Sequence, residues 1–254
     1  MSEFNDKVVI ITGGAHGIGR CIADNFTHQG AQVVVIDIEA IKDTNYAYTF
    51  KGDIADKAVL EVFVRAVIER FGKIDYLINN ACMGRGGLFT AEYEDFLYVQ
   101  RVGVVAPFIL SKLFTPYFRD QGSIINIAST RAFQSQSNTE CYSAAKGGII
   151  ALTHALAVSL RGKIRVNAIS PGWIDTGSHE GLSKEDHAQH LVGRVGHSQD
   201  ISHAVQFLCS DKASFITGQN IIIDGGMSKL MTYHKDEGWY FSQETFESSI
   251  KPIE

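Results

Sequence analysis

Short runs of consecutive apolar residues recur along this chain, and most of them stop at a glycine or a small polar residue. Val8-Val9-Ile10-Ile11 leads into Thr12-Gly13-Gly14, Val33-Val34-Val35-Ile36 into Asp37, and Ile124-Ile125-Asn126-Ile127-Ala128 into Ser129. Runs this short, rich in β-branched residues and apolar at successive positions, predict strands buried on both faces. Strands are expected near 7–12, 32–37, 47–50, 74–79, 122–127, 163–169 and 220–223. The longer segments between them carry helical spacing, as in Ile18, Ile22 and Phe26 before a stop at Gly30. Helices are expected near 18–29, 56–71, 92–118, 141–160 and 199–209. Such alternation predicts an α/β domain with a parallel sheet and helices on both faces. Gly13, Asp37, Asp53, Asn79, Ser129 and Pro171 all fall at or just past the C-terminal end of a predicted strand. That is the edge of an open α/β sheet where ligands bind.

The first strand runs into Gly13-Gly14-Ala15-His16-Gly17-Ile18-Gly19 and then directly into a helix. Glycines let the backbone approach a pyrophosphate closely, and a helix N-terminus offers unpaired N–H groups and partial positive charge. Asp37 ends the second strand, about twenty residues further on, where a carboxylate accepts hydrogen bonds from an adenosine ribose and repels a 2′-phosphate. Ile38-Glu39-Ala40 supplies no arginine for that phosphate, so NAD(H) is expected rather than NADP(H).

Tyr142 and Lys146 stand four residues apart in a segment rich in Ala, Leu and Ile, which puts phenol and ammonium one helical turn apart. A phenol with pKa near 10 is a poor acid–base group at pH 7. A cation within about 4–6 Å lowers that value, and reaching about 7 takes roughly 4 kcal/mol of differential stabilisation. Taken alone, such a pair reads as a solvated helix face. Ser129, just past a strand and thirteen residues before Tyr142, adds a hydroxyl able to hold a substrate oxygen beside the phenol.

Together these motifs resemble the short-chain dehydrogenase/reductase family, in the branch whose loop reads Thr-Gly-x-x-x-Gly-x-Gly. Asp53-Ile54, Asn79-Asn80-Ala81, Arg165-Val166-Asn167, Pro171-Gly172-Trp173-Ile174-Asp175-Thr176, Ile216-Thr217-Gly218-Gln219 and Asp224-Gly225-Gly226 follow in the family's order, from about Lys7 to Gly226. The resemblance implies a single Rossmann-type doubly wound domain over 1–226, with about seven parallel strands in the order 3-2-1-4-5-6-7. It also implies NAD-dependent interconversion of a secondary alcohol and a ketone, with Ser129, Tyr142 and Lys146 catalytic. Tyr142 would be the general acid/base, Lys146 would lower its pKa and hold the nicotinamide ribose, and Ser129 would orient the substrate oxygen. For the cofactor, the resemblance implies pyrophosphate on Gly13, His16, Gly17, Ile18 and Gly19, ribose on Asp37, and adenine beside Asp53 and Ile54. Asn80, Ala81 and Pro171 would line the same groove, and Ile174 and Thr176 would fix the carboxamide. Homodimers or homotetramers are common in this family, and one is expected here.

Three departures stand out. Val102-Gly103-Val104 occupies the place where the family usually has Val-Asn-Leu, so the fourth catalytic residue is missing. Cys82 replaces a usual glycine, and the stretch between Asp37 and Asp53 is too short for a helix beside its strand. The glycine motivates an alternative, a catalytically weak dinucleotide-binding sensor or scaffold of the same fold. A 3-oxoacyl-type reductase is a further alternative, which Asp37 disfavours because those enzymes generally use NADPH.

Composition adds limits. With 254 residues, 45% hydrophobic and 20% charged, the chain suits one large globular domain. A net charge of −5 without basic clusters argues against nucleic acid as a partner. No uninterrupted apolar run reaches membrane-spanning length, and the acidic start Met-Ser-Glu-Phe-Asn-Asp does not read as a leader. Four widely spaced cysteines fit reduced thiols, so a cytoplasmic location is expected and no metal site. Met83, Arg85, Gln134, Gln136, Trp173 and His179 are candidate walls of a substrate pocket, whose polar lining with one arginine suits a small hydroxylated or anionic substrate, a sugar, polyol or hydroxy acid, better than a bulky apolar one. Residues 227–254 form an aromatic extension, with Trp239, Tyr240, Phe241 and Phe246, expected to pack on the domain or on a neighbouring subunit.

Overall fold

The computed structural model describes residues 2–42, 44–177, 180–233 and 235–236. Its centre is a seven-stranded sheet of β1 (Val8–Thr12), β2 (Gln32–Asp37), β3 (Tyr48–Lys51), β4 (Ile74–Asn79), β5 (Phe118–Ile127), β6 (Ile164–Pro171) and β9 (Asn220–Ile223). The order is β3-β2-β1-β4-β5-β6-β9, every neighbouring pair parallel, as expected. A separate two-strand pair, β7 (Ile174–Asp175) and β8 (Gly196–His197), brackets a polar segment holding the short helix α6 (Lys184–Ala188).

Strand side chains alternate between two cores, which is why the apolar runs are continuous. Val8, Ile10, Val34 and Ile36 face one side, covered by α2 (Lys57–Phe71) and α4 (Ala106–Phe114) through Leu60, Phe63, Leu110 and Phe114. Val9, Ile11, Val33 and Val35 face the other, covered by α1 (Gly17–His28) and α7 (Ser198–Cys209) through Ile22, Phe26, Ile201 and Val205. Among the described residues the β2–β3 link carries no helix, leaving that flank thin as its length predicts.

One expected element is different. The helix placed at 92–118 is α3 (Tyr93–Gln100), a π-helical segment over Arg101–Val105, then α4 and a 3₁₀ turn at Thr115–Tyr117, with β5 already starting at Phe118. Pro107 supplies the reason. It has no N–H to return to the Gly103 carbonyl four residues earlier, so α-helical bonding fails there. The Ala106 N–H instead reaches back five residues to the Arg101 carbonyl.

Two helical stretches, Tyr93–Tyr117 and Glu140–Ser159, have the length and hydropathy of membrane spans by composition alone. Here both lie against the sheet, with Leu110, Phe114 and Ile149 buried. Of the C-terminal extension, a 3₁₀ turn at Met227–Lys229 and exposed Met231 and Tyr233 are described, while Trp239, Tyr240, Phe241 and Phe246 lie outside the described residues.

Candidate active site

Two adjoining clefts open at the C-terminal edge of the sheet. The smaller, about 380 Å³, is walled by the 13–19 turn, the ends of β2 and β3, and the segment after β4. It gathers Gly13, His16, Gly17, Ile18, Gly19, Asp37, Asp53, Ile54, Asn80, Ala81 and Thr176. The turn requires glycine at both ends of its path. Gly13 has φ +70° and a Cβ there would stand 2.8 Å from the Ala81 Cα, while one at Gly19 would stand 2.0 Å from the Gly13 carbonyl oxygen. Asn80 clamps the turn from beside it, its side-chain amide donating to the Thr12 and Gly13 carbonyls at 3.1 and 2.9 Å. Thr12 Oγ1 in return accepts from the Asn80 and Ala81 N–H groups, both at 3.0 Å.

Asp37 already accepts two backbone hydrogen bonds, from Ala15 at 2.9 Å and Glu39 at 3.0 Å. Its orientation is therefore set by the protein, with lone pairs left for a ligand hydroxyl. His16 sits at the groove mouth with Nε2 2.9 Å from the Glu39 carboxylate, which raises the imidazole pKa through that hydrogen bond and charge. Asp53 is likewise held, by the Tyr98 hydroxyl at 2.8 Å and the Ala55 N–H at 2.9 Å.

The larger cleft, about 920 Å³, includes Ser129, Thr130, Arg131, Gln134, Gln136, Tyr142, Gly172, Trp173 and Ile174. Tyr142 and Lys146 come from α5 (Glu140–Ser159), which packs over β5 and β6. A buried chain fixes this helix: the Asn79 amide donates to Asn126 Oδ1 at 2.8 Å, and the Asn126 amide donates to Thr153 Oγ1 on α5 at 2.9 Å. The Lys146 ammonium lies 5.3 Å from the Tyr142 ring centroid and is almost wholly buried. It lines neither cleft and donates to the Ile127 carbonyl at 2.6 Å, at the end of β5. Ser129 follows that strand in extended conformation, and its Oγ accepts from the Arg131 N–H at 3.1 Å.

The protein's own groups move the Tyr142 phenol in the direction opposite to that expected. Burial is the largest influence and pushes its pKa up, and the Cys82 thiol beside it acts in the same sense. A hydrogen bond from Ser129 and the positive charge of Arg131 oppose them. A buried phenol loses the water that would stabilise its anion, so a neighbouring lysine alone does not invert the balance.

A family model described as enoyl-(acyl carrier protein) reductase matches residues 13–228. An uncharacterized oxidoreductase of Thermotoga maritima is 44% identical over 252 residues, covering 90% of this chain and 98% of that protein. A 3-oxoacyl-[acyl-carrier-protein] reductase of the same organism is 33% identical, covering 87% and 97%. A solved SCOR enzyme of Clostridium thermocellum is 46% identical and superposes with a TM-score of 0.87, covering 94% of this chain and 99% of that one. The chain belongs to the short-chain dehydrogenase/reductase family.

It is thus an oxidoreductase of a family that binds nicotinamide dinucleotides. Within that frame several expected site residues fall in new places. Pro171 is buried at the end of β6 and lines neither cleft, and Gly172 takes the wall position beside it. Arg85 is not part of the larger cleft: its guanidinium stacks 4.1 Å over the Tyr98 ring and pairs with Asp95 at 3.2 Å. Met83 belongs to the smaller cleft, Gln134, Gln136 and Trp173 to the larger, and His179 is outside the described residues. Gly103 lies where the π segment crosses α5, and a Cβ there would meet the Ala145 Cβ at 2.8 Å. The family's usual asparagine therefore has no room at this position. Sequence reasoning missed Tyr98, which holds Asp53, and Arg131, which faces Tyr142. Arg131 lies only two residues after Ser129, and that proximity was the available signal.

Proposed function

We propose that this protein interconverts a small polar secondary alcohol and its ketone, using NAD(H). One observation carries the reading: the Tyr142 phenol stands where the two clefts adjoin, with Ser129 beside it and Lys146 behind it on the same helix. The smaller cleft fits a dinucleotide, because the Gly13–Gly19 turn, whose tight path admits no Cβ at Gly13 or Gly19, lines it and α1 begins there. Gly13, His16, Gly17, Ile18 and Gly19 would hold the pyrophosphate, Asp37 the adenosine ribose, Asp53 and Ile54 the adenine end, and Thr176 with Ile174 the nicotinamide end. Bound there, the dinucleotide supplies two-electron chemistry by accepting or returning a hydride.

The chain's residues do the rest. Ser129 holds the substrate oxygen, and Tyr142 takes the carbinol proton in oxidation or returns it in reduction. Lys146 favours the phenolate against the burial that opposes it, and the positive charge of an oxidised nicotinamide, once held in the smaller cleft, would act in the same sense. Asp37 and Glu39 at the ribose end support NAD(H), since both would repel a 2′-phosphate. Tyr142→Phe tests this reading: turnover should fall about 10²- to 10⁴-fold, while NAD⁺ affinity stays within a few-fold. Unchanged turnover would end the assignment.

The 33%-identical 3-oxoacyl-[acyl-carrier-protein] reductase favours a second reading, reduction of a 3-oxoacyl thioester. That reading expects NADPH to outperform NADH, and a comparison of the two cofactors separates them. Exposed apolar side chains on α3, the π segment and α5, among them Phe96, Val105 and Val158, support a homodimer or homotetramer. Four unpaired cysteines support a reducing, cytoplasmic setting.

A further inference from the structure

The larger cleft carries an electrostatic feature that alcohol chemistry alone does not require. Among its described lining residues, Arg131 is the one with a charged side chain; the others are glycine, serine, threonine, glutamine, asparagine, tyrosine, tryptophan, isoleucine and methionine, with no carboxylate among them. The guanidinium makes no ion pair among the described residues, and its one side-chain partner there is the Gln136 carbonyl oxygen. Gln136 thus steadies one arm of the fork and leaves its other donors unclaimed. In a chain of net charge −5, an arginine kept in a cleft without a counter-ion is poised for an anionic ligand.

We propose that Arg131 anchors the carboxylate of the substrate, so that the alcohol oxidised at Tyr142 is a short 2- or 3-hydroxy acid and the product the matching keto acid. This deepens the function proposed above and rests on it. Two observations carry it. Arg131 starts two residues after Ser129, on the 3₁₀ turn Thr130–Ala132, and its own N–H holds the Ser129 oxygen at 3.1 Å. Anchor and oxygen-binding hydroxyl are therefore parts of one rigid turn. Arg131, Ser129 and Tyr142 line the same cleft, so a carboxylate on Arg131 and a carbinol at Tyr142 belong to one molecule that this cleft holds. The planar fork also matches a carboxylate with two parallel hydrogen bonds, which a lysine would not. In the oxidation the carbinol C–H bond yields a hydride to NAD⁺ and the O–H proton goes to Tyr142. The carboxylate is unchanged throughout.

The test compares matched substrates on one carbon skeleton, such as 3-hydroxybutyrate, its amide and 1,3-butanediol, and lactate, lactamide and 1,2-propanediol. With NAD⁺, the best hydroxy acid should exceed its neutral partners in kcat/KM by about 10- to 100-fold, the range of a charge-assisted hydrogen-bonded pair. Arg131→Gln should bring that ratio close to one, chiefly by raising KM for the acid, and Arg131→Lys should retain part of it. A ratio near one in the unaltered protein, or one that survives Arg131→Gln, overturns the proposal. So does an Arg131-dependent preference confined to phosphorylated alcohols or carrier-bound thioesters. Dinucleotide binding, followed by fluorescence, and oxidation of the neutral alcohols keep the two levels apart. If both occur without acid preference, only the anchor fails; if neither occurs with any substrate, the dehydrogenase reading fails with it.

Discussion

Gly103→Ala asks how tightly the π segment and α5 are locked. A Cβ at position 103 would lie 2.8 Å from the Ala145 Cβ, whereas carbon atoms pack at about 3.5–4.0 Å. The two helices must therefore separate by about 0.7–1.2 Å to admit one methyl group. Overpacking of this kind costs about 1–3 kcal/mol, and replacing glycine by alanine in a helix returns up to about 1 kcal/mol. The net loss is about 0.5–2 kcal/mol, a Tm lower by roughly 1–8 °C for a chain of this size. The effect on rate should be larger. Ala145 lies between Tyr142 and Lys146 on α5, so displacing it moves the phenol and the ammonium together. A misplacement of about 1 Å can cost about 10²-fold in rate, and a loss of about 10- to 100-fold in kcat is expected. Calorimetric or fluorescence melting reads the first effect, and initial rates of NAD⁺ reduction with the best alcohol read the second. Gly103→Asn should be at least as damaging, since it adds an amide to the same clash, yet less so than Tyr142→Phe. An alanine variant with unchanged or higher Tm and unchanged kcat would refute the claim that close approach is why glycine stands here.

Other outcomes follow from the same geometry. Cys82→Ala removes a group that holds the Tyr142 phenol up, so the pH profile of alcohol oxidation should move toward lower pH; an unmoved profile would dismiss the thiol's influence. Cys82 is also exposed where the clefts adjoin, so iodoacetamide should inactivate the protein, NAD⁺ should protect it, and Cys82→Ala should be resistant. Asp37→Ala should weaken NAD⁺ binding and raise the NADP⁺ to NAD⁺ ratio of kcat/KM about tenfold, as loss of a charged hydrogen bond and of anion repulsion requires. Asp200, paired bidentately with Arg194 at 2.7 Å, has its pKa lowered to about 2 from 3.8, chiefly by the hydrogen bond from Arg194. A lowered carboxyl stabilises the fold above its unfolded pKa and loses that contribution as pH falls toward the folded one. The stability gap between the wild type and Asp200→Asn, measured by urea titration, should be full at pH 6–8 and vanish between about 4 and about 2.

What the amino-acid order determined by itself was the architecture and the edge at which chemistry gathers. Continuous β-branched runs can be satisfied only by strands covered on both faces, and strands so covered alternate with helices. Because each run ends where its strand ends, Gly13, Asp37, Asp53 and Ser129 were placed at one edge without any knowledge of packing. Tertiary structure decided the environment at that edge. The space at Gly103 is closed by Ala145, arriving from a helix about forty residues away. The phenol's pKa depends on burial and on Cys82 and Arg131, which reach Tyr142 from two different strand ends. Arg85 was drawn away by the Tyr98 ring and Asp95. Local patterning selects backbone conformation because its forces act within a few residues; desolvation and charge act through space, between groups that only the fold brings together.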